Sequence, residues 1–156
     1  MKKFELTAEN KLNWFGHELY RIRALITFET INGEKIDIGD LGGYVESEKN
    51  LSHDEKAWIF GNAEVWGDAE VYGNAKVLGN AEVYGNAKVL DDAEVGGDVK
   101  IWGNAEVWGD AKVFGNAEVG GDAEVYGNAK IYGGAKVLGN AEVWRHRDLR
   151  WRQGFR

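Results

Sequence analysis

From Gly61 to Trp144 the chain repeats one six-residue pattern: Gly, Asn or Asp, Ala, Glu or Lys, Val, and a variable, often large residue. The stretch is 84 residues, fourteen hexads with no insertion. Departures are few: Asp91 stands for the opening Gly, Gly134 for Asn/Asp, Val99 for Ala, and Ile101 and Ile131 for Val. The frame continues backwards more loosely as EKAWIF (55–60), KNLSHD (49–54) and GYVESE (43–48). Within a hexad, small apolar, charged, β-branched and large side chains alternate. Successive side chains of a strand point to opposite faces, so Ala and Val share one side while the charge and the large residue share the other. Gly-Asn and Gly-Asp supply a turn with φ > 0. Each hexad is thus a four-residue strand and a two-residue turn.

A hairpin of such short strands would bury only a thin Ala/Val stripe. Coiling the chain so that equivalent strands stack makes that stripe a continuous core, and hexad repetition is the signature of a parallel β-helix. The pattern resembles the hexapeptide repeat of left-handed β-helix proteins, in which an aliphatic residue is followed four positions later by a small one. GHELYRIRAL (16–25) and GDLGGYVESEKNLS (39–52) also resemble the N-terminal part of uncharacterised bacterial and phage proteins of that kind, which are labelled acyltransferase-like by fold. The resemblance implies a left-handed, all-β, single-stranded parallel helix with three hexads per coil. Residue i then stacks on i+18, and residues 43–144 make about 5–6 coils, each rising about 4.8 Å.

Residues 1–42 do not repeat and are expected to form an N-terminal β cap. Residues 19–28 alternate as a strand, and Asn32-Gly33 is a hairpin turn between ITFETI and EKIDI. A cap shields the strand edges of the first coil, which would otherwise polymerise. Residues 145–156 carry Arg145, Arg147, Arg150, Arg152 and Arg156. This basic tail is read as folding over the last coil with Leu149, Trp151 and Phe155 inward. A dimerisation element, a nucleic-acid or membrane contact, and a shifted reading frame stay open.

The eighteen-residue register sorts the outward residues into three faces. The first carries Lys76, Glu94, Lys112 and Lys130 beside Phe60, Leu78, Gly96, Phe114 and Tyr132. The second carries Glu64, Glu82, Lys100, Glu118 and Lys136 beside Trp66, Tyr84, Trp102, Gly120 and Leu138. The third carries Glu70, Lys88, Glu106, Glu124 and Glu142 beside Tyr72, Leu90, Trp108, Tyr126 and Trp144. Opposite charges in a column stabilise and like charges destabilise. The first two faces mostly alternate in sign and read as solvated salt ladders. The third ends in three glutamates, and its corners add Asp68, Asp91, Asp92, Asp110 and Asp122: nine acids against one lysine. Stacked aromatics support the strands by themselves. Combined with the acids they mark the third face as the contact surface, formed by Glu70, Tyr72, Asp92, Glu106, Trp108, Asp110, Asp122, Glu124, Tyr126, Glu142 and Trp144.

Composition narrows the chemistry. With 156 residues, no Cys, no Pro, 12% aromatics and a net charge of −7, the chain is a globular domain without a disulfide scaffold or Cys-ligated zinc. Neither a membrane-spanning run nor a secretory signal is read in it, so the expected location is cytoplasmic. The charge argues against direct nucleic-acid binding. No catalytic residue, cofactor or metal site is assigned. His17 is read as a turn residue, His53 as an inward residue of the first coils, and His146 as solvated in the tail. Members of the resembled family include trimeric acyl-CoA-dependent acyltransferases, which use a His base and loops between coils; the fourteen hexads contain neither. Ice binding is rejected because the outward positions are charged and bulky. The expected function is a non-catalytic binding or scaffold protein, a homodimer or homotrimer, that offers its acidic aromatic face to a protein partner or to itself. A sharper variant is a phage-type inhibitor that mimics nucleic acid. The alternative is an acyl-CoA-dependent acyltransferase.

Overall fold

A computed structural model describes residues 1–145 and the backbone strand Gln153–Phe155. The protein is an all-β solenoid of parallel strands in three stacked sheets, closed at its N-terminal end by antiparallel strands. Each hexad contributes a two-residue rung at its charge–Val pair, such as Glu64–Val65, Glu70–Val71 and Lys76–Val77. Rungs eighteen residues apart pair in parallel, as in Glu82 with Lys100, Lys88 with Glu106, and Glu94 with Lys112. Three hexads therefore complete one coil, as the resemblance implies, and the three faces are those expected from that register.

The core is a column of Val and Ala. Val65 through Val125 at the valine positions and Ala63 through Ala129 at the alanine positions are almost all fully buried, with Val99 and Ile101 continuing the column at two of them. The corners set a second limit. Gly109 adopts φ +70, and a Cβ built there would lie 2.9 Å from the backbone nitrogen of Gly127 in the next coil. Asp91, the one corner residue of the fourteen hexads that is not Gly, has φ +57. Its Oδ2 accepts the Gly109 N–H at 3.1 Å, which suits Asp to a left-handed corner.

The backward frame slips in the first coil. Val45 pairs with Val65 and Leu51 bridges Val71, twenty residues apart, whereas Ile59 pairs with Val77, eighteen apart. The loose frame read at 43–54 is therefore displaced by two positions. Ser52 N–H donates to the Val71 carbonyl and Lys56 N–H to that of Gly73, so the extra residues lie at 53–55. His53 is consequently not an inward residue. It bulges out half-buried, stacks on Phe4 with ring centroids 4.1 Å apart, and its Nδ1 accepts the Lys3 N–H.

The cap consists of β1 (Phe4–Leu12), β2 (Glu18–Ala24), β3 (Phe28–Glu29), β4 (Lys35–Ile36) and β5 (Leu41–Val45). β1, β2 and β5 extend the second sheet, with β5 pairing in parallel to Glu64–Val65. The strand read through residue 28 ends at Ala24. There Ala24 N–H turns to Asp40 and Leu25 N–H to Lys3, and the chain leaves the sheet to form the β3–β4 hairpin around Gly33, φ +88. Lys3 is buried beneath the cap and donates to the Ala57 carbonyl at 2.6 Å; burial pushes its ammonium down to about 8. At the other end, Gln153–Phe155 pairs antiparallel to the last rung of the third sheet. The inward placement of Leu149, Trp151 and Phe155 lies outside the described side chains. Among the described residues no helix is long and apolar enough to cross a membrane.

Two substitutions test the packing. Ala105→Leu overfills a fully buried column and is expected to cost about 1–3 kcal/mol in a thermal or urea melt. Gly109→Ala and Gly139→Ala share the backbone strain of a left-handed corner. Among the described residues only the first meets a neighbouring coil, since a Cβ at Gly139 has nothing of them within 4 Å. Gly109→Ala should therefore melt lower than Gly139→Ala; equal melts would remove corner stacking as a constraint.

Candidate functional site

The third face is built by Glu70–Val71, Lys88–Val89, Glu106–Val107, Glu124–Gly127 and Glu142–Arg145. Pairing puts Glu70, Lys88 and Glu106 in alternation, then places Glu124 directly between Glu106 and Glu142. The Glu124 carboxyl is held above the usual carboxylate range, first by burial, then by the charges of Glu106 and Glu142. Beside it Trp108 and Tyr126 stack with centroids 4.5 Å apart and planes 4° from parallel, and Tyr126 pairs in register with Trp144. Burial also raises the Tyr72 hydroxyl pKa, with Glu70, Glu106 and Asp91 adding to the shift.

The corner acids are tied into ladders that the strand pattern does not reveal. Asn74 Nδ2 donates to Asp92 at 3.0 Å, and Asn104 Nδ2 to Asp122 at 2.9 Å. Asp92 and Asp110 stand on the corner shared with the first face, where both line a groove with Glu94, Lys112 and the hairpin tip Ile31–Asn32. The eleven expected contact residues thus divide. Glu70, Tyr72, Glu106, Trp108, Glu124, Tyr126, Glu142 and Trp144 belong to the third sheet, while Asp92, Asp110 and Asp122 belong to its edges.

The other two faces are occupied by the cap. On the first, Glu34 of the hairpin pairs with Lys76, which also reaches Glu94 at 3.3 Å; Glu94 pairs in turn with Lys112. Phe28 packs edge-on to Trp58. On the second, the β1–β2 tip lays Phe15 on Trp66 and Tyr84, and His17 on Trp66, while Lys11 pairs with Glu64 at 2.9 Å. His17 Nδ1 bonds Glu46 at 2.7 Å. Burial alone would raise the Glu46 carboxyl; the His17 hydrogen bond and the Gly67 N–H outweigh it and hold the carboxyl below the usual range. The cap's ring and ion-pair contacts with outward rungs fall on these two faces. This clasp is invisible to the spacing argument, which treats the three faces alike.

His17 and His53 both hold the cap, and His146 lies outside the described residues. Among the described residues no group of three or more His, Cys, Asp or Glu is placed to hold a metal ion.

The glutamate stack has a measurable cost. Glu124→Lys restores alternation and should leave stability unchanged or raise it by at most about 1 kcal/mol. Glu118→Lys puts a third lysine between Lys100 and Lys136 and should lower it. The raised Glu124 pKa means that the folded state favours the protonated carboxyl. Its penalty is absent below the ordinary carboxylate pKa and develops as pH rises through the folded value. Melts of Glu124→Gln and the parent should therefore converge in acid and separate toward neutrality, with the variant the more stable. No known protein-family model and no curated protein matches the chain, so its functional reading rests on this geometry.

Proposed function

We propose that the protein is a non-catalytic binding scaffold that presents its third face to a protein partner. The observation that carries this reading is the in-register stack Glu106–Glu124–Glu142 beside the stacked Trp108 and Tyr126. A solenoid that mostly alternates charges on its other faces, with single like-charged pairs at Glu64–Glu82 and Lys112–Lys130, holds here three glutamates in a row. Aromatic rungs next to unalternated acids combine an apolar anchor with a charge that steers a basic surface toward it. A partner that brings Lys or Arg to Glu124 offsets the repulsion from Glu106 and Glu142 and supplies the counter-charge that a buried carboxylate lacks. The same demand is met by a second copy of the chain or by a nucleic-acid-binding protein whose basic groove accepts rows of carboxylates. Rungs about 4.8 Å apart match the roughly 3.4 Å phosphate spacing only approximately, so the mimic is the narrower form of the reading. For an acyl-CoA-dependent transferase of the resembled kind a histidine base would have to come from outside the fourteen hexads. The described histidines, His17 and His53, are committed to cap contacts, and the binding role is preferred for that reason.

The test compares three immobilised proteins in a pull-down from cells of origin: the parent, Glu124→Lys and Glu118→Lys. A partner lost with Glu124→Lys and retained with Glu118→Lys supports the third face; equal retention by both overturns it. Sedimentation of the free chain near 17.4 kDa at micromolar concentration would remove a second copy as the partner.

A further inference from the structure

The first and third faces carry the same arrangement with opposite sign. Consecutive hexads stand nearly level, since a whole coil of three rises only about 4.8 Å. Each charge of the first face has the opposite sign to the third-face charge six residues before it: Lys76 to Glu70, Glu94 to Lys88, Lys112 to Glu106, and Lys130 to Glu124. No other pair of faces matches at every described level. The second face sets Lys136 level with Lys130 and Glu118 level with Glu124.

The match includes the rungs where each face works against itself. Lys112 stacks on Lys130, and Glu106 on Glu124. A stacked pair of rings stands beside each: Phe114 with Tyr132, centroids 6.0 Å apart, and Trp108 with Tyr126. The first-face strip is open. The Lys112 side chain keeps 42% of its surface despite its pairing with Glu94, Lys130 is exposed, and Tyr132 keeps 55%. The β3–β4 hairpin is anchored lower down, through Phe28 on Trp58 and Glu34 on Lys76; only its tip, Ile31–Asn32, borders the groove that Lys112 and Lys130 line. On the corner margin of that groove Asp92 accepts from Asn74, and Arg145 lines the groove with Asp110.

From this complementarity we propose that the partner of the third face is the first face of a second copy of the chain, axes parallel, with Glu106 and Glu124 set against Lys112 and Lys130. The inference rests on the third face being the contact surface. Facing strands of the two copies run in opposite directions. When the charge columns meet, Trp108 and Tyr126 therefore close the contact on one side, and Phe114 and Tyr132 close it on the other. Rings that exclude water strengthen the ion pairs between them. Two third faces would set glutamate on glutamate, so the contact is heterologous. Such a contact repeats from copy to copy and builds a ring or a filament.

Sedimentation of the full chain at rising concentration, in low and high salt, tests the inference. The parent is expected to pass twice 17.4 kDa in low salt and to dissociate in high salt. Glu124→Lys and Lys130→Glu each remove a like-charged stack from their own face, so both should fold at least as well as the parent, which melting curves check. Each alone should nevertheless weaken self-association about tenfold. An equimolar mixture of the two variants, or the double variant, should recover most of the loss, because the exchanged charges again oppose each other across the contact. A mass that stops at two copies, a Lys130→Glu variant that associates like the parent, or a mixture that recovers nothing overturns the inference. A parent that stays a single copy overturns it too, but not the third face itself, which the pull-down with Glu124→Lys tests separately.

Discussion

The corner where one coil rests on the next governs this molecule. At Gly109 the backbone of the neighbouring coil comes close enough that a Cβ would sit 2.9 Å from its nitrogen. That approach forces a glycine every sixth residue, and the spacing of the corners fixes where each strand begins. Once corners stack, Val must stack on Val and Ala on Ala, because a shift of one residue would turn the apolar stripe outward. The core is thin, but it runs without interruption from Val45 to Ala129; in the last coil Val137 and Val143 stay buried while Ala135 is exposed. Asp91 marks the tolerance of the rule: a side chain enters the corner only where it bonds the backbone of the next coil.

Strict stacking leaves the outside little freedom of its own. Each outward residue inherits the neighbours eighteen residues before and after it, so a single sign decides whether a rung is a salt ladder or a repulsion. Lys76, Glu94 and Lys112 make the first outcome, with both ion pairs at 3.3 Å. Glu106, Glu124 and Glu142 make the second. Large rings follow the same rule. Trp108 and Tyr126 stack face to face, while Trp102 fills the space where a Cβ of Gly120 would stand and Phe114 does the same at Gly96. Those glycines are therefore seats for rings from the adjacent coils, a role different from that of the corner glycines.

The repeating part of the fold was legible because its period, its alternation and its turn chemistry all point to one arrangement. The hexad strands, their turns and the Asn32-Gly33 hairpin follow from residues that can be read singly, whereas the eighteen-residue register and the three faces came from the resemblance to hexapeptide-repeat proteins. The first coil was not legible in the same way. Nothing in KNLSHD announces that His53, Asp54 and Glu55 accommodate two extra residues, since Leu51 fits an inward slot in either frame. Nor does local alternation show that the strand beginning at Glu18 stops at Ala24, a limit set by bonds to Asp40 and Lys3 far along the chain. For the candidate face, the glutamate column was visible in the spacing. The Asn ladders that hold Asp92 and Asp122 depend on side-chain direction at a corner, which a strand pattern does not carry.

The largest departure from the sequence reading is the asymmetry that the cap creates. Three faces built from one hexad would be near equivalents if the solenoid stood alone. The β3–β4 hairpin engages the first through Glu34 and Phe28, and the β1–β2 tip engages the second through Lys11, Phe15 and His17. Each arm settles on a rung with the chemistry to receive it: Glu34 meets Lys76, while Phe15 and His17 meet the stacked Trp66 and Tyr84. No arm of the cap reaches the third face in this way among the described residues, and its last rung pairs instead with Gln153–Phe155. Its early rungs alternate as Glu70, Lys88 and Glu106, and its charge runs unalternated only toward the end farther from the cap. A segment outside the repeat thus turns a three-fold sequence pattern into a molecule whose cap clasps two faces, and the unalternated glutamates lie on the third.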